Sequence, residues 1–439
     1  MNRSQIGLQY LNQLTPWNGR GGFALESITK TLHRLDNPQD KLPVIHIAGT
    51  NGKGSVSSAV ASILGHAGYR VGLNSSPHLQ TLNERVVIDG LPIDMEAIGE
   101  FAYDIRTAAA KDLQELSFHE AITALSFLAF REMGTEWMVI EVGLGGRLDA
   151  SNVISRPAAT AIVTIDFDHQ QILGDTLGQI AAEKAGIIKA GSPLITGDLP
   201  LEAEKVITKM AAGVRHYRFR TDYGIALKEG GAGSEFVYWG KDFPISPISR
   251  FDFTSPLPGI HQGHNLSVAA TIGLAVGMQE SDVIGGLQGV YWPARLERFT
   301  VDRTNLLMDC AHNPAGIRAF VHYLKRAGEQ GIDLTFGVLD TKNWQEMIQI
   351  LKPHVGHWRL VLPESERALD LDTVRREIGL SGTDVRVSMY GSNYEGLIKD
   401  LLDGSSDGVR YVTGSMYMIG KLRNMFSLPH KPIWERKAK

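Results

Sequence analysis

The chain has 439 residues, of which 43% are hydrophobic and 21% are charged. This mixture is typical of folded globular proteins, and the length predicts two or three domains, which excludes a disordered protein and a single small module. Lys and Arg total 44 against 48 for Asp and Glu, so the net charge of -4 shows no basic surplus of the kind that nucleic-acid binding needs.

Targeting signals and cysteine content point to a reducing compartment. The sequence has no apolar run near 18 residues and no signal-peptide pattern in its first 15 residues, so we expect a cytoplasmic protein without a membrane partner. Cys310 is the only cysteine, which excludes an intrachain disulfide and a cysteine-based zinc site.

The first part of the chain alternates between strand and helix patterns. Such alternation predicts a parallel, doubly wound sheet in a large P-loop-type α/β domain, which we place at residues 1–297. The predicted strands are Val44 to Ala48, Trp137 to Ile140 and Ala161 to Ile165, and the predicted helices are those up to Gly68, at Phe118 to Phe130 and around Ile180 to Ala185.

The remainder of the chain predicts two further sheets. Short β-like pieces broken by glycine and proline between Tyr217 and Pro258 indicate antiparallel strands at the edge of the first domain. A second alternating series predicts a smaller Rossmann-like domain at residues 298–439, with the boundary near Glu297 to Thr300. Its predicted strands are Leu306 to Met308, Leu334 to Leu339, Arg359 to Leu362, Val385 to Val387 and Arg410 to Val412.

A glycine-rich stretch between the first strand and its helix predicts a phosphate site. Glycines let backbone amides approach an anion, the helix presents free N–H groups, and a lysine adds a full charge. The stretch departs from the standard pattern, because Ile47 stands at the first glycine position and Gly54 separates the lysine from the serine. The alternative is a turn with a solvated lysine. The residues are Gly49, Thr50, Asn51, Gly52, Lys53, Gly54 and Ser55.

This loop resembles that of the Mur-ligase superfamily, and further motifs resemble its folylpolyglutamate synthase and dihydrofolate synthase branch. The resemblance implies an ATP- and magnesium-dependent ligase that acts on small molecules, commonly as a monomer. The matching stretches are SSPHLQTLNERV from Ser75, EVGLGGRLDASNV from Glu141, DFDHQQILGDTLGQIAAEKAGIIK from Asp166, HQGHN from His261, WPARLERF from Trp292, DCAHNPAG from Asp309 and TGS from Thr413.

Two polar residues follow predicted strands at the edge where open α/β sheets bind ligands: Glu141 and His169. The resemblance implies that Ser76, Glu141 and His169 hold magnesium. The alternatives are a capping or ion-paired carboxylate for Glu141 and an ordinary loop histidine for His169.

Lys184 stands near the end of a predicted helix, where a lone lysine is usually a solvated charge. The resemblance implies instead a lysine carbamylated by carbon dioxide, with Lys189 as the competing candidate. We expect Lys53, His169 and Lys184 to serve catalysis.

The resemblance assigns further nucleotide contacts. It places Asn265 near adenine and Arg295 on the phosphates, and it makes Asp309 and His312 nucleotide ligands. Capping of the next helix by Asp309 or Asn313 is an alternative that can hold at the same time. Two residues depart from the family pattern: Ala294 and Cys310 stand where glycine is usual.

The substrate-side segments resemble those of folate enzymes. They supply Ser76, Pro77, His78, Phe118 and Asp149 as candidate substrate contacts, and Asp149 is suited to hydrogen-bond a pterin ring. Two departures occur: His119 stands where the family often has a second aromatic residue, and the stretch Trp17 to Phe23 lacks the usual glycine-leucine pattern.

We therefore predict an ATP-dependent amide ligase that adds glutamate to dihydropteroate, to a reduced folate or to both. One rival is a ligase of the same superfamily that acts on a non-folate acid. The other is a nucleotide-binding protein without turnover, which the joint presence of Lys53, Glu141, His169 and Lys184 disfavours.

Overall fold

The structure is a computed structural model that describes residues 1–15, 25–112, 115–228, 234–379, 385–403 and 408–438. Contacts divide these residues into two compact units. Unit 1 comprises the described residues of 1–256, 260–292 and 431–438, and unit 2 those of 257–259 and 293–430. The predicted stretch Trp17 to Phe23 lies outside the described residues.

The division differs from the predicted one in three places. Residues 257–259 and 293–297 belong to unit 2, and residues 431–438 belong to unit 1 rather than to the second domain. The last difference arises from packing: Trp434 is only 1% exposed, and the Lys437 N–H donates to the Gly65 carbonyl at 3.1 Å.

Unit 1 is built on an eight-stranded sheet in the order β4-β3-β2-β5-β1-β6-β7-β8. Strands β2, β5, β1, β6, β7 and β8 run parallel, while β3 and β4 are antiparallel to their neighbours. The strands are β1 Val44–Ala48, β2 Val71–Asn74, β3 Val86–Ile88, β4 Leu91–Pro92, β5 Trp137–Glu141, β6 Ala159–Ile162, β7 Leu194–Thr196 and β8 His216–Arg218.

Helices cover this sheet. They are α1 Arg3–Gln13, α2 Glu26–Arg34, α3 Lys53–His66, α4 Met95–Lys111, α5 Phe118–Glu132, α6 Gln170–Leu173, α7 Leu177–Ala185, α8 Leu201–Met210, α9 Ile260–Ala275 and α10 Glu280–Gly289, with short 3-10 turns at Pro38–Asp40, Leu82–Arg85 and Ala150–Val153. None of the helices within the described residues is long and apolar enough to cross a membrane.

Strand β1 lies in the middle of the sheet, and all five of its residues are buried. A continuous apolar run of this kind suits a parallel strand that is covered on both faces. Ile47 pairs with Glu141 of β5 on one side and with Ala161 of β6 on the other. The carboxyl ends of these three strands therefore meet at one edge, where open α/β sheets bind ligands.

A separate three-stranded antiparallel sheet follows, in the order β11-β10-β9. Its strands are β9 Tyr223–Leu227, β10 Glu235–Lys241 and β11 Ile248–Thr254. Buried and exposed residues alternate along β10 and β11, as expected for a sheet with one covered face. The antiparallel strands predicted here are confirmed, although Tyr217 itself lies in β8 of the main sheet. Residues 229–233, which hold several of the glycines, lie outside the described residues.

Unit 2 has a six-stranded sheet in the order β12-β13-β17-β14-β15-β16, parallel except for β12. Its strands are β12 Glu297–Val301, β13 Thr304–Met308, β14 Ile332–Phe336, β15 Val355–Val361, β16 Arg386–Gly391 and β17 Arg410–Thr413. Its helices are α11 Pro314–Arg326, α12 Trp344–Leu351, α13 Leu371–Gly379, α14 Tyr394–Leu401 and α15 Met416–Met425, with a 3-10 turn at Lys352–His354.

The predicted α/β class with parallel sheets is confirmed. All five strands predicted for the second domain occur, and β12 is an additional strand at the predicted boundary. Strand β6 ends at Ile162 rather than at Ile165, because the chain beyond it turns to hydrogen-bond the glycine-rich loop.

Candidate functional site

The loop of residues 49–55 connects β1 to α3 and is tied to the segment that follows β6. The Thr50 N–H donates to the Thr164 carbonyl at 2.8 Å, and the Asn51 N–H donates to Thr164 Oγ1 at 2.9 Å. Thr50 Oγ1 also donates to the Asp166 carbonyl at 3.2 Å. These bonds hold the loop in one conformation before any ligand arrives.

The amino end of α3 carries no side-chain cap. Its N-cap is Gly52, whose φ of 82° lies in the left-handed region that favours glycine. A β-carbon at Gly52 would lie 2.3 Å from Asn265 Oδ1, so only glycine fits between the loop and α9. An uncapped helix of 14 residues presents free backbone N–H groups and a positive dipole end, which suits an anion such as phosphate.

Asn265 therefore forms part of the wall behind the loop of residues 49–55, the predicted phosphate loop. It is 6% exposed, and its Nδ2 donates to Gln262 Oε1 at 3.1 Å. The predicted adenine contact of Asn265 remains a prediction, while its contact with Gly52 is a structural role that the sequence pattern alone did not indicate.

Two lysine side chains converge on a single carbonyl of the loop. Lys53 Nζ lies 3.1 Å from the Gly49 carbonyl oxygen and 3.3 Å from that of Thr50. Lys184 Nζ donates to the same Gly49 oxygen at 3.0 Å. Two amines that share one acceptor repel each other if both are charged.

Lys184 is 3% exposed, so the surface alternative weighed from the sequence is wrong. Burial, reinforced by repulsion from Lys53, lowers the pKa of Lys184 to about 7, although Asp168 and Asp149 act in the opposite direction. Burial also lowers the pKa of Lys189, but that side chain is only half-buried. Of the two lysines, Lys184 is therefore the one with a substantial fraction of neutral amine near pH 7.

Ser76 and Glu141 lie together at the carboxyl edge of the sheet. Glu141 ends β5 and is 4% exposed, and its Oε2 accepts the Ser76 N–H at 3.4 Å. His169 is the N-cap residue of α6, with a φ of 53°, and its side chain is 48% exposed. Its Nε2 lies 3.8 Å from Asp168 Oδ1. Within the described residues, no three His, Cys, Asp or Glu side chains are grouped to hold a metal ion by themselves.

The loop that carries Ser76, Pro77 and His78 is held by a residue that the sequence analysis did not single out. Glu84 accepts three backbone N–H bonds, from Leu79 at 2.6 Å, Gln80 at 2.9 Å and Thr81 at 2.8 Å. The signal for it was present in the sequence, because Thr81 and Glu84 have the spacing of a capping box.

Arg85 is a second residue that the sequence analysis missed. Its Nε donates to His78 Nδ1 at 2.9 Å, and its guanidinium lies 5.4 Å from the centre of the Phe118 ring. Burial and the Arg85 charge lower the pKa of His78, although Glu84 opposes them. Arg85 thereby connects two of the predicted substrate contacts, His78 and Phe118.

Asp149 serves as an anchor within the protein. Its Oδ1 accepts bonds from the Ser151 hydroxyl and N–H, and its Oδ2 accepts from the Leu144 N–H at 2.9 Å and faces His119 Nε2 at 3.2 Å. Burial alone would raise its pKa, but His119 and these hydrogen bonds together hold the pKa well below its usual range. Asp149 is 3% exposed with both oxygens engaged, so a direct bond to a pterin ring does not fit this arrangement.

The predicted nucleotide contact Arg295 of unit 2 lies in a strained loop. Ala294 and Leu296, on either side of it, have φ values of 53° and 51°, which are left-handed and unfavourable for residues with a β-carbon. The loop is held by its N–H groups: Leu296 donates to Asp309 Oδ2 at 3.0 Å, and Ala294 donates to Glu297 Oε2 at 2.9 Å. These hydrogen bonds hold the strained backbone from which Arg295 extends.

Asp309 and the residues after β13 form a hydrogen-bonded turn. Asp309 Oδ1 accepts the Ala311 N–H at 3.0 Å, and burial raises the pKa of this carboxyl despite the nearby Arg295. His312 Nδ1 donates to the Cys310 carbonyl at 2.8 Å. Burial likewise raises the pKa of the Cys310 thiol, to about 11, which leaves it an unreactive thiol.

The predicted capping of the helix after this turn is confirmed for Asn313. The Gly316 N–H donates to Asn313 Oδ1 at 2.9 Å, and α11 begins at Pro314. Asp309 has a different structural role. Its carboxylate accepts the N–H of Leu296, before β12, and that of Ala311, after β13, rather than an N–H of the helix.

The sequence of unit 1 matches a known family of ligases. The Mur ligase middle domain family matches residues 47–273, a range that includes the phosphate loop, Glu141, His169 and Lys184. The chain is 34% identical to the folylpolyglutamate synthase of Lacticaseibacillus casei over 90% of this chain and 92% of that protein. It is 31% identical to the dihydrofolate synthase/folylpolyglutamate synthase of Bacillus subtilis, over 91% and 94% of the two chains.

Solved structures give the same result for the whole chain. A Mycobacterium tuberculosis folylpolyglutamate synthase complexed with ADP and AMPPCP superposes with a TM-score of 0.84 at 28% identity, over 97% of this chain and 99% of that one. The apo form of the L. casei enzyme gives a TM-score of 0.83 at 29% identity, over 97% and 100%. The chain belongs to the folylpolyglutamate synthase/dihydrofolate synthase family.

The strained loop makes a prediction about stability. Because Ala294 is left-handed, Ala294→Gly should relieve about 1 kcal/mol of backbone strain, which offsets the loss of its buried methyl group, so the free energy of unfolding should not fall. The control is Ala327→Gly, since the exposed Ala327 has a φ of -76° and should lose about 0.4–1 kcal/mol. Denaturant unfolding of both variants checks this, and an Ala294→Gly protein that loses as much stability as Ala327→Gly would contradict the strain at Ala294.

Proposed function

We propose that the chain is an ATP-dependent amide ligase that joins L-glutamate to a folate-type acid, either dihydropteroate or a reduced folate or both. The observation that carries the proposal is the uncapped amino end of α3 with Lys53 and Lys184 converging on the Gly49 carbonyl. The close relatives in L. casei and B. subtilis are named for this activity, and the M. tuberculosis structure holds ADP and an ATP analogue.

The chemistry requires activation of the acid, because an unactivated carboxylate is a poor electrophile. A carboxylate oxygen attacks the γ-phosphorus of ATP, and the bond from this phosphorus to the β,γ-bridging oxygen breaks. ADP departs, and the acid becomes an acyl phosphate. The neutral amine of glutamate then adds to the acyl carbon. The tetrahedral intermediate expels phosphate, and the amine nitrogen loses a proton to form the amide.

Residues of the phosphate loop supply the stabilisation that this transfer needs. The N–H groups of the first turn of α3 and the Lys53 ammonium would face the negative charge that builds on the transferred phosphoryl group. Arg295 is proposed to contact the phosphates, and Asn265, Asp309 and His312 to contact the rest of the nucleotide. Ser76, Pro77, His78, Phe118 and Asp149 are proposed to form the acid site, with Asp149 acting through His119.

The residues proposed for magnesium fit a hard cation. Glu141 is a buried carboxylate beside Ser76, and hydroxyl and carboxylate oxygens are ligands that magnesium prefers. His169 is an exposed third candidate. No three His, Cys, Asp or Glu side chains cluster among the described residues. Magnesium here would therefore also need oxygens of the nucleotide as ligands. Bound magnesium would neutralise phosphate charge.

A ligase for a non-folate acid is the second candidate, and one observation favours it. His119 lies 3.2 Å from the ionised Asp149, so a polar imidazole stands where a purely apolar ring would stack on a flat heterocycle. We further propose a monomeric protein of the cytoplasm without nucleic-acid or membrane partners.

Release of ADP with different acids tests the proposal directly. We expect turnover with dihydropteroate or tetrahydrofolate in the presence of glutamate, ATP and magnesium, and little turnover with unrelated acids. The comparison is kcat/KM for each acid. Turnover with another acid but with neither pterin would replace the folate assignment and leave the ligase assignment intact, whereas no ADP release with any acid would remove both.

Lys53→Ala tests the phosphate loop. We expect kcat to fall by about 10²–10³, because a positioned charge on the transferred phosphoryl group is lost. Circular dichroism should show an intact fold, since the hydrogen bonds of Lys53 to the described residues go to loop carbonyls. The control is Lys30→Ala, which removes an exposed lysine paired with Glu26 and should leave kcat unchanged. Near-normal turnover of a folded Lys53→Ala protein would contradict the assignment.

Lys184 is proposed to be carbamylated. Its neutral amine attacks the carbon of carbon dioxide, a nitrogen–carbon bond forms, and one proton passes to water, which leaves an anionic carbamate. Three features favour the reaction: Lys184 is buried, burial lowers its pKa to about 7, and the Lys53 cation beside it would pair with the product. The modification would thereby replace the Lys184 ammonium by an anion beside Lys53, at the Gly49 carbonyl that both amines now share.

Labelled carbon dioxide detects the modification. The neutral fraction of Lys184 rises as the pH increases through about 7, so a 13C carbamate signal should be weak at about pH 6 and strong at about pH 8. The signal should vanish in Lys184→Ala and persist in the matched variant Lys189→Ala. Short carboxylic acids should partly restore the turnover of Lys184→Ala. A signal that follows Lys189 instead would refute the assignment.

A further inference from the structure

Trp292 contacts the phosphate loop directly. A β-carbon built on Gly54, the second residue of α3, would lie 2.9 Å from Trp292 Nε1 and 3.0 Å from Cζ2. The indole therefore rests on the α-carbon of Gly54. It covers one side of the turn whose N–H groups the proposed function assigns to phosphate.

The backbone next to Trp292 is held by the C-terminal segment, residues 431–438. The Tyr291 N–H donates to the Ile433 carbonyl at 2.7 Å, and Lys431 Nζ lies 5.6 Å from the centre of the Tyr291 ring. The residue before Trp292 is thus held by a backbone hydrogen bond and a cation–π contact to a segment that is distant in the sequence.

The C-terminal segment is in turn fixed to the other end of α3. The Ile433 N–H donates to the Gly90 carbonyl at 2.8 Å, and the Lys437 N–H donates to the Gly65 carbonyl at 3.1 Å. Trp434 is 1% exposed, and a β-carbon on Gly65 would lie 2.4 Å from its ring. Both ends of α3 therefore contact a tryptophan held by this one segment.

The two crossings of the chain between the units lie close to Trp292. Apart from residues 257–259, the chain leaves unit 1 after Trp292 and returns to it at Lys431, and these two points are joined by the bond between Tyr291 and Ile433. The crossing point between the two units in the sequence therefore lies next to the residue that contacts Gly54.

We propose that Trp292 is a positioning residue for the phosphate loop and that residues 431–438 hold it in place. A rigid indole against Gly54 limits the motion of the first turn of α3, so that its N–H groups stay aimed at the bound anion. The inference rests on the proposed function, because it assumes that this anion is the phosphate chain of ATP.

A double-mutant cycle between positions 54 and 292 tests the contact. Gly54→Ala forces a β-carbon against the indole and should weaken ADP binding, measured by calorimetry, by about tenfold. Trp292→Leu should raise KM for ATP and leave KM for glutamate unchanged, and Trp292→Phe should restore most of the loss. The double variant should bind ADP more tightly than the two single effects predict, because the smaller leucine makes room for the added methyl group.

A matched pair elsewhere in unit 1 provides the control. Trp239 of β10 rests on Gly224 of β9 in the same way, with the Gly224 β-carbon position 2.7 Å from its Nε1. Gly224→Ala and Trp239→Leu should lower the thermal midpoint without changing ADP affinity. If they weaken ADP binding as much as the variants at 54 and 292, the effect is general destabilisation and the inference is overturned.

Trp434→Leu in the full chain tests the role of the C-terminal segment. It should weaken ADP binding, and its effect should be less than additive with that of Trp292→Leu, because both act through one contact. Additive effects, or unchanged ADP affinity in every variant at 54, 292 and 434, would overturn the inference alone. Failure of the unmodified protein to bind ADP would overturn the proposed function as well, so the two failures are distinguishable.

Discussion

The carbonyl oxygen of Gly49 is the point on which the geometry of unit 1 depends. It lies one residue beyond the central strand β1, and it receives bonds from both Lys53 at the start of α3 and Lys184 at the end of α7. Parallel pairing of β1 with β5 and β6 brings Glu141 and Thr164 to the same edge. The strand, the loop and the two helices are therefore coupled through one backbone position, and a shift of any of them would move the lysines.

Within each unit, carboxylates bind the backbone of neighbouring loops. Glu84 binds three consecutive N–H groups, Asp149 has both oxygens engaged, and Asp309 holds the turns on either side of it. Such bonds explain how long irregular segments are fixed at a sheet edge, since buried N–H groups need acceptors. In unit 1, Asp149 also faces the His119 ring, and in unit 2 Asp309 binds the loop that carries Arg295.

The sequence predicted the elements whose signals are local. The apolar run of β1, the glycine-rich loop and the helical repeat after it lie within about 25 residues, and all appear in the structure where the pattern places them. The contact of Asn265 with Gly52, and that of Trp434 with Gly65, join residues far apart in the chain. Hydrophobic periodicity reports on neighbouring residues within one element, so it cannot indicate such pairs. Strand β12 was missed for another reason: none of its five residues is buried, so it has no continuous apolar run at the predicted boundary.

The convergence of Lys53 and Lys184 also limits the charge that the site can hold. Two ammonium groups on one carbonyl are unfavourable when one of them is 3% exposed, and burial accordingly lowers the pKa of Lys184. A site that holds Lys184 neutral keeps a single fixed cation, Lys53, for an incoming anion. If Lys184 instead becomes an anion, Lys53 is held by a charge pair, and the loop no longer carries surplus positive charge. The state of Lys184 therefore sets the electrostatic balance of the phosphate loop, even though Lys184 follows it by more than a hundred residues.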